Sequence, residues 1–208
     1  MISTSTSLSY TLACVLLVLS PGPDNLLAIA RGLSQGARAA ILSAIASGMG
    51  IIFHVLMASL GLTVLLQTSA MAFFIVKLIG AAYLLYLGIK VLFARNLISF
   101  TPAAKISSTK IFVTGLLSAA LNPKPGLFVL AFIPQFIDPA AGSVTLQMLA
   151  LGTWFAILTT LGFALMGVFA RSLASYLQQH PRIVMGLNLG AGLTFVMAGL
   201  SVAALKQK

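Results

Sequence analysis

Apolar positions in this chain gather into six long runs, separated by short polar clusters. The runs lie at about 8–30, 40–66, 70–93, 111–137, 146–170 and 183–205. Each reaches the roughly 20 residues that carry a helix across a bilayer core. The second and fourth are long enough to tilt or to be broken. Gly61 and Gln67-Thr68-Ser69 separate runs two and three, Asp138-Pro139 through Ser143 separates four and five, and His180-Pro181-Arg182 separates five and six. Arg95 to Lys110 is the one polar stretch and reads as a linker. The pattern predicts an all-α membrane protein with six transmembrane helices in one domain: three helices over about 1–94, the linker over 95–110, and three helices over 111–208.

Composition agrees. Hydrophobic residues make up 60% of the 208 residues and charged residues 7%, against about 25% charged in a soluble domain. Mean hydropathy is +1.10. The net charge of +10 comes from 12 basic and two acidic residues. A nucleic-acid binder collects such charge on a soluble face; here it sits at the ends of apolar runs, which excludes nucleic acid as a partner. The single cysteine, Cys14, rules out an intrachain disulfide and a cysteine zinc site. Met1 to Tyr10 lacks the basic stretch of a cleaved signal, so the first run reads as a retained helix.

The basic residues orient the runs. Arg31, Arg38, Lys90, Arg95, Lys105, Lys110, Arg171 and Arg182 fall in the loops after runs one, three and five. Lys206 and Lys208 alone fall on the other side, in the tail. Basic loops stay in the cytoplasm, so both termini are predicted outside. Two tandem halves of three helices must then run in opposite directions, a 3+3 inverted repeat.

Two motifs mark that repeat. Leu19-Ser20-Pro21-Gly22-Pro23 and Leu121-Asn122-Pro123-Lys124-Pro125 lie 102 residues apart, in runs one and four. Two prolines at i and i+2 interrupt a helix, because proline lacks the N–H and clashes with the preceding turn. Ser20 or Asn122 can cap a new helix that starts on proline. Each motif therefore reads as the N-terminus of an inner half-helix, with free N–H groups and partial positive charge that suit an anion. The plain alternative for either motif is a proline kink. A weaker echo pairs Gly80-Ala81-Ala82 and Gly88 with Gly190-Ala191-Gly192 and Gly199. Small residues of this kind also recur simply for helix packing.

Few side chains can carry chemistry. Asp24, followed by Asn25, is one of two carboxylates; at membrane depth it costs about 3 kcal/mol or more unless paired or functional. It is a candidate to bind an ammonium group or carry a proton, or else caps the half-helix. Lys124 is a candidate partner of Asp24 or of a substrate carboxylate. Lys77 reads as snorkelling to the outer surface, Asp138 as an outer turn residue or gate, and His54 as a packing residue or proton relay. Phe128, Phe132, Phe136 and Trp154 read as packing. No metal-ligand, nucleotide or hydrolase motif is present, so no catalytic residue, metal or cofactor is expected, and ATP is not the energy source.

Ser20-Pro21-Gly22-Pro23-Asp24-Asn25 resembles the signature of the lysine exporter (LysE/RhtB) family of amino-acid efflux proteins. The resemblance continues through Arg31-Gly32 and Gly36, Lys77-Leu78-Ile79-Gly80-Ala81-Ala82-Tyr83-Leu84 and Gly88, Leu121-Asn122-Pro123-Lys124, and Phe132-Ile133-Pro134-Gln135-Phe136. It implies a secondary exporter in the bacterial cytoplasmic membrane, driven by protons and often oligomeric. The binding or coupling residues it implies are Pro21, Gly22, Pro23, Asp24 and Asn25, with Asn122, Pro123 and Lys124. Ser20 and Pro125 complete the two motifs. So few intramembrane carboxylates favour neutral substrates: threonine, homoserine, homoserine lactone or branched aliphatic amino acids. The alternatives are an exporter of another small solute or ion, or a non-transporting accessory subunit with continuous helices and no cavity.

Overall fold

A computed structural model describes residues 4–20, 22–68, 70–93 and 104–204. Pro21, Arg95 with the linker up to residue 103, Lys206, Lys208 and the side chains of Lys77 and Arg171 lie outside the described residues.

The described chain is all helical: α1 (Thr4–Leu19), α2 (Pro23–Gln35), α3 (Ala37–Thr68), α4 (Ala70–Leu92), α5 (Ser108–Leu121), α6 (Pro123–Ala131), α7 (Val144–Val168), α8 (Ala170–Gln179) and α9 (Pro181–Ala204). Short 3-10 turns cover Ile133–Phe136 and Pro139–Ala141. Within α3 and α7, Ala37–Gly61 and Val144–Val168 are each long and apolar enough to cross a membrane. The pairs α1–α2 and α5–α6 bend by 58° and 47°, and if each pair is one span the described residues hold four. The breaks fall at the two Pro-x-Pro motifs. Pro23 and Pro123 open their half-helices, where the missing N–H has no helical partner to lose.

Between runs five and six the chain is helical rather than the loop its polar residues indicate. No Gly or Pro intervenes between Phe169 and Pro181, and good helix formers such as Ala170, Leu173, Ala174 and Leu177 fill the segment. At 10 residues, α8 is too short to span.

Helix directions follow from contacts. The Tyr10 hydroxyl donates to the Leu151 carbonyl at 2.9 Å, and Val18 lies against Gly162, so α1 and α7 run parallel. Gly50 meets Ala119 and Gly115 meets Ala46, so α3 and α5 run parallel. Val55 faces Gly152 and Ala40 faces Gly167, so α3 and α7 are antiparallel. It follows that α1 is antiparallel to α5. Likewise α4 and α9 cross antiparallel, Gly88 against Gly192 and Ala81 against Gly199. Glycines let these backbones approach closely.

The core lies where α1, α3, α6 and α7 meet. Phe128 stacks at 4.6 Å from Phe132 and 4.9 Å from Phe155, and Tyr10 meets Phe136 edge-on at 5.1 Å. Phe128, Phe132 and Phe136 are thus packing residues, as expected from the sequence. Trp154 also packs α7 on α1, donating from its indole N–H to Thr11 Oγ1 at 3.0 Å. Outer positions such as Leu8, Leu60, Met71, Leu161 and Met197 are apolar and exposed, a surface suited to lipid.

At Gly88 a Cβ would lie 2.8 Å from the Gly192 carbonyl oxygen, so α4 and α9 would have to separate; at Gly186 nothing lies within 4 Å. Gly88→Ala is expected to destabilise by about 1–3 kcal/mol and Gly186→Ala by far less, measured by thermal unfolding of the purified protein in detergent.

Candidate functional site

The two breaks meet each other. Ending α1 at Leu19 frees its last carbonyls, and lipid cannot take them. Asn25, in the first turn of α2, folds back over the break. Its Nδ2 donates to the carbonyls of Val18 at 3.2 Å and Ser20 at 2.9 Å, while its Oδ1 accepts from the Gly22 N–H at 2.9 Å. Gly22 carries no capping side chain, so Asn25 supplies the cap from within the helix. Pro23 is exposed beside it.

Lys124 reaches across from the second break. Its ammonium donates to the carbonyls of Ser20 at 2.8 Å and Leu17 at 3.3 Å. A cation is favoured at the C-terminal end of α1 by the helix dipole and disfavoured at the N-terminus of its own α6. The two charged hydrogen bonds, each contributing about 1.5–3 kcal/mol, decide where it points. Gly22 makes the room: a Cβ there would sit 3.3 Å from Lys124 Nζ.

Asp24 reaches the other way. It is buried, and its Oδ1 accepts from the Ser118 hydroxyl at 2.6 Å while Oδ2 accepts from Asn122 Nδ2 at 2.6 Å. Asn122 in turn caps α6, its Oδ1 accepting from the Lys124 N–H at 3.0 Å. Pro123 opens α6 and is exposed; Pro125 is buried.

His54 approaches the second break from α3. Its Nε2 lies 3.0 Å from the Ala119 carbonyl oxygen, and its ring fills the space left by Gly126. Asp138 is not part of the site: it is exposed and caps the 3-10 turn after it, accepting from the Ala140 N–H at 2.9 Å. It does not meet Asp24. Ser20 is fully buried, joined through its carbonyl. Pro21 and the Lys77 side chain lie outside the described residues.

Asp24, Asn25, Asn122 and Lys124 border a cavity of about 30 Å³, which Phe155 and Thr159 of α7 also line. Two residues of this site escape sequence reasoning. Ser118 precedes Asn122 by one helical turn and so shares its face, but a serine in an apolar run carries no signal alone. Thr159 is equally plain in sequence.

Bent helices and a cavity between them are not the continuous helices of a passive scaffold. The family model described as LysE type translocator matches residues 15–206, nearly the whole chain. The chain belongs to the LysE type translocator family. This is a family of membrane translocators and not of enzymes. The translocator is 32% identical over 200 residues to an uncharacterized membrane protein of Vibrio cholerae, covering 96% of this chain and 97% of that one. It is 29% identical over 197 residues to a homoserine/homoserine lactone efflux protein of Salmonella typhimurium, covering 94% and 95%, and 30% identical over 199 residues to one of Salmonella typhi, again covering 94% and 95%. No solved structure matches it.

Removing the Asn25 amide leaves the Val18 carbonyl and the Gly22 N–H without partners at the break. Asn25→Ala is expected to cost roughly 2–6 kcal/mol, at about 1–3 kcal/mol for each of the two orphaned groups. Asn25→Asp, which sets an acceptor against two carbonyls, is expected to cost more. Denaturant unfolding in detergent checks both.

Proposed function

We propose that the translocator is a secondary exporter of neutral amino acids or their close derivatives, carrying them outward across the bacterial cytoplasmic membrane against inward proton flow. The observation that carries this reading is the exchange of partners at the two breaks. A carboxylate and an ammonium, one from each broken helix, each bind the opposite half beside one buried cavity. The Salmonella relatives named as homoserine/homoserine lactone efflux proteins support the substrate class.

The chemistry suits a zwitterion. An entering substrate offers the two groups the protein already uses. Its carboxylate replaces Asp24 on Ser118 and Asn122, and its ammonium replaces Lys124 on the α1 carbonyls. Asp24 is the single carboxylate bordering the cavity among the described residues, and it shares that cavity with the Lys124 ammonium, so a cationic side chain has no acidic partner of its own there. Neutral side chains follow. At about 30 Å³ the cavity has room for water, whereas small-molecule sites run to about 300–1,000 Å³. The halves must therefore part to admit substrate, and the bonds from Asp24 and Lys124 are the ones that part. A proton on Asp24 removes the charge that holds Ser118 and Asn122, which couples proton entry to release.

Six spans complete the carrier: the two bent pairs, α3, α7, and α4 and α9 at 23 and 24 residues. The antiparallel placing of α1 against α5, α3 against α7 and α4 against α9 supports a 3+3 inverted repeat that rocks about the breaks. The cytoplasmic face is the basic one. There Arg31 donates to the Ala104 carbonyl at 2.6 Å, and Gln35 exchanges two hydrogen bonds with the Ile106 backbone at 2.8 and 2.9 Å. These hold the linker beside the first loop, and the basic residues gathered there support a cytoplasmic face with both termini on the opposite side.

Asp24→Asn is expected to lower proton-driven efflux of homoserine and threonine from loaded vesicles at least about tenfold, the loss of one charged hydrogen bond or more. Wild-type efflux in that variant overturns the coupling role. Lys124→Gln is expected to reduce efflux comparably.

A further inference from the structure

We propose that the Thr159 hydroxyl is the specificity-determining group of the cavity and reads a hydroxyl on the substrate side chain. The inference rests on the reading of the chain as an exporter of neutral amino acids, and narrows it to side chains that carry one hydroxyl.

Thr159 is 1% exposed, and its Oγ1 has no hydrogen-bond partner among the described residues. Buried hydroxyls are nearly always bonded, so the exception calls for a reason. A helical threonine usually satisfies itself on the preceding turn. Thr160, its neighbour, does so, donating to the Ala156 carbonyl at 2.9 Å; Thr114 donates to the Lys110 carbonyl at 2.7 Å. Thr159 makes no such bond. Of the four buried hydroxyls without a partner among the described residues (Ser20, Ser43, Ser47 and Thr159), Thr159 alone borders the cavity.

Its setting gives the hydroxyl meaning. Phe155, Thr159 and Phe163 stand four residues apart on α7, one face of one helix, and all three border the cavity. They form an apolar wall in which Thr159 is the one residue with a polar side chain, its hydroxyl sealed while the halves are together. The partners that Asp24 and Lys124 give up, Asn122 with Ser118 and the α1 carbonyls, take the charged groups of the amino acid. The side chain is left to the α7 wall. There an aliphatic side chain buries the hydroxyl without a partner, whereas a hydroxylated one bonds it. Sites built around such a polar group reject an analogue that lacks the matching one far more strongly than apolar pockets reject a methyl.

The test uses pairs that exchange hydroxyl for methyl: threonine against valine, and homoserine against norvaline. The full-length protein is reconstituted in vesicles and efflux of each labelled amino acid is measured. Wild type is expected to favour the hydroxylated member of each pair about tenfold or more. Thr159→Val, a near-isosteric change, is expected to lower that ratio at least about tenfold, and Thr159→Ser to keep it. A ratio unchanged in Thr159→Val, or a wild type indifferent within both pairs, overturns the inference. If Thr159→Val is not monodisperse by size exclusion, Thr159→Ala decides on the same ratio: loss supports the inference and retention overturns it. A wild type that moves none of the four overturns both this inference and the exporter reading. Efflux that requires Asp24 but keeps its ratio without the Thr159 hydroxyl overturns this inference alone.

Discussion

A helix broken inside an apolar layer leaves backbone N–H and C=O groups that lipid cannot satisfy. The rest of the site depends on meeting that demand. At the first break Asn25 takes the Val18 and Ser20 carbonyls and the Gly22 N–H, and Lys124 takes Leu17 and Ser20. At the second, Asn122 caps the Lys124 N–H, and the Ala119 carbonyl faces both His54 Nε2 and the Asn122 N–H. Each break is thus closed partly from its own half and partly from the other. The same polar groups that repair two helices also hold the halves together, and they are the groups for which the proposed substrate would compete.

The two repairs have one plan and different chemistry. Gly22 gives space to Lys124, and Gly126 gives space to His54. In each case a glycine at the cap or in the first turn of the half-helix admits a nitrogen donor from elsewhere to the end of the preceding helix. At the first break that donor is an ammonium, held where the helix dipole favours positive charge. At the second it is an imidazole. Asp24 adds a negative charge on one side only. Similar architecture with unequal charge gives a cavity bordered both by Asp24 and Lys124 and by Phe155, Thr159 and Phe163 of α7.

Around this centre the helices pack through small residues. Gly152 on Val55, Gly167 on Ala40 and Gly88 on Gly192 bring backbones within van der Waals reach. Such interfaces are stiff, because separating them forfeits many close contacts at once. The hydrogen bonds across the breaks are fewer and directional, and a ligand can replace them one for one. This difference supports the proposed mechanism, in which the crossings stay rigid and the breaks exchange partners.

Much of this was legible in the chain. Six apolar runs required a helical membrane protein, Pro-x-Pro fixed where two of the helices stop, and the scarcity of charge singled out Asp24 and Lys124. Those features are local: chain length against bilayer thickness, a missing N–H, an ion in an apolar run. Contacts between distant segments were not legible. Lys124 binds the carbonyls of α1, which have no side-chain signature; Asp24 binds Ser118, an ordinary residue in an apolar run; His54 joins the second break from α3. The α8 helix, too, looked like a loop, because polarity marks exposure and not the absence of a helix. Composition and local stereochemistry therefore determined the class, the breaks and the charged pair. Only tertiary structure decided which groups satisfy the breaks and that Thr159 borders the cavity, because hydrogen-bond partners are chosen by proximity in space.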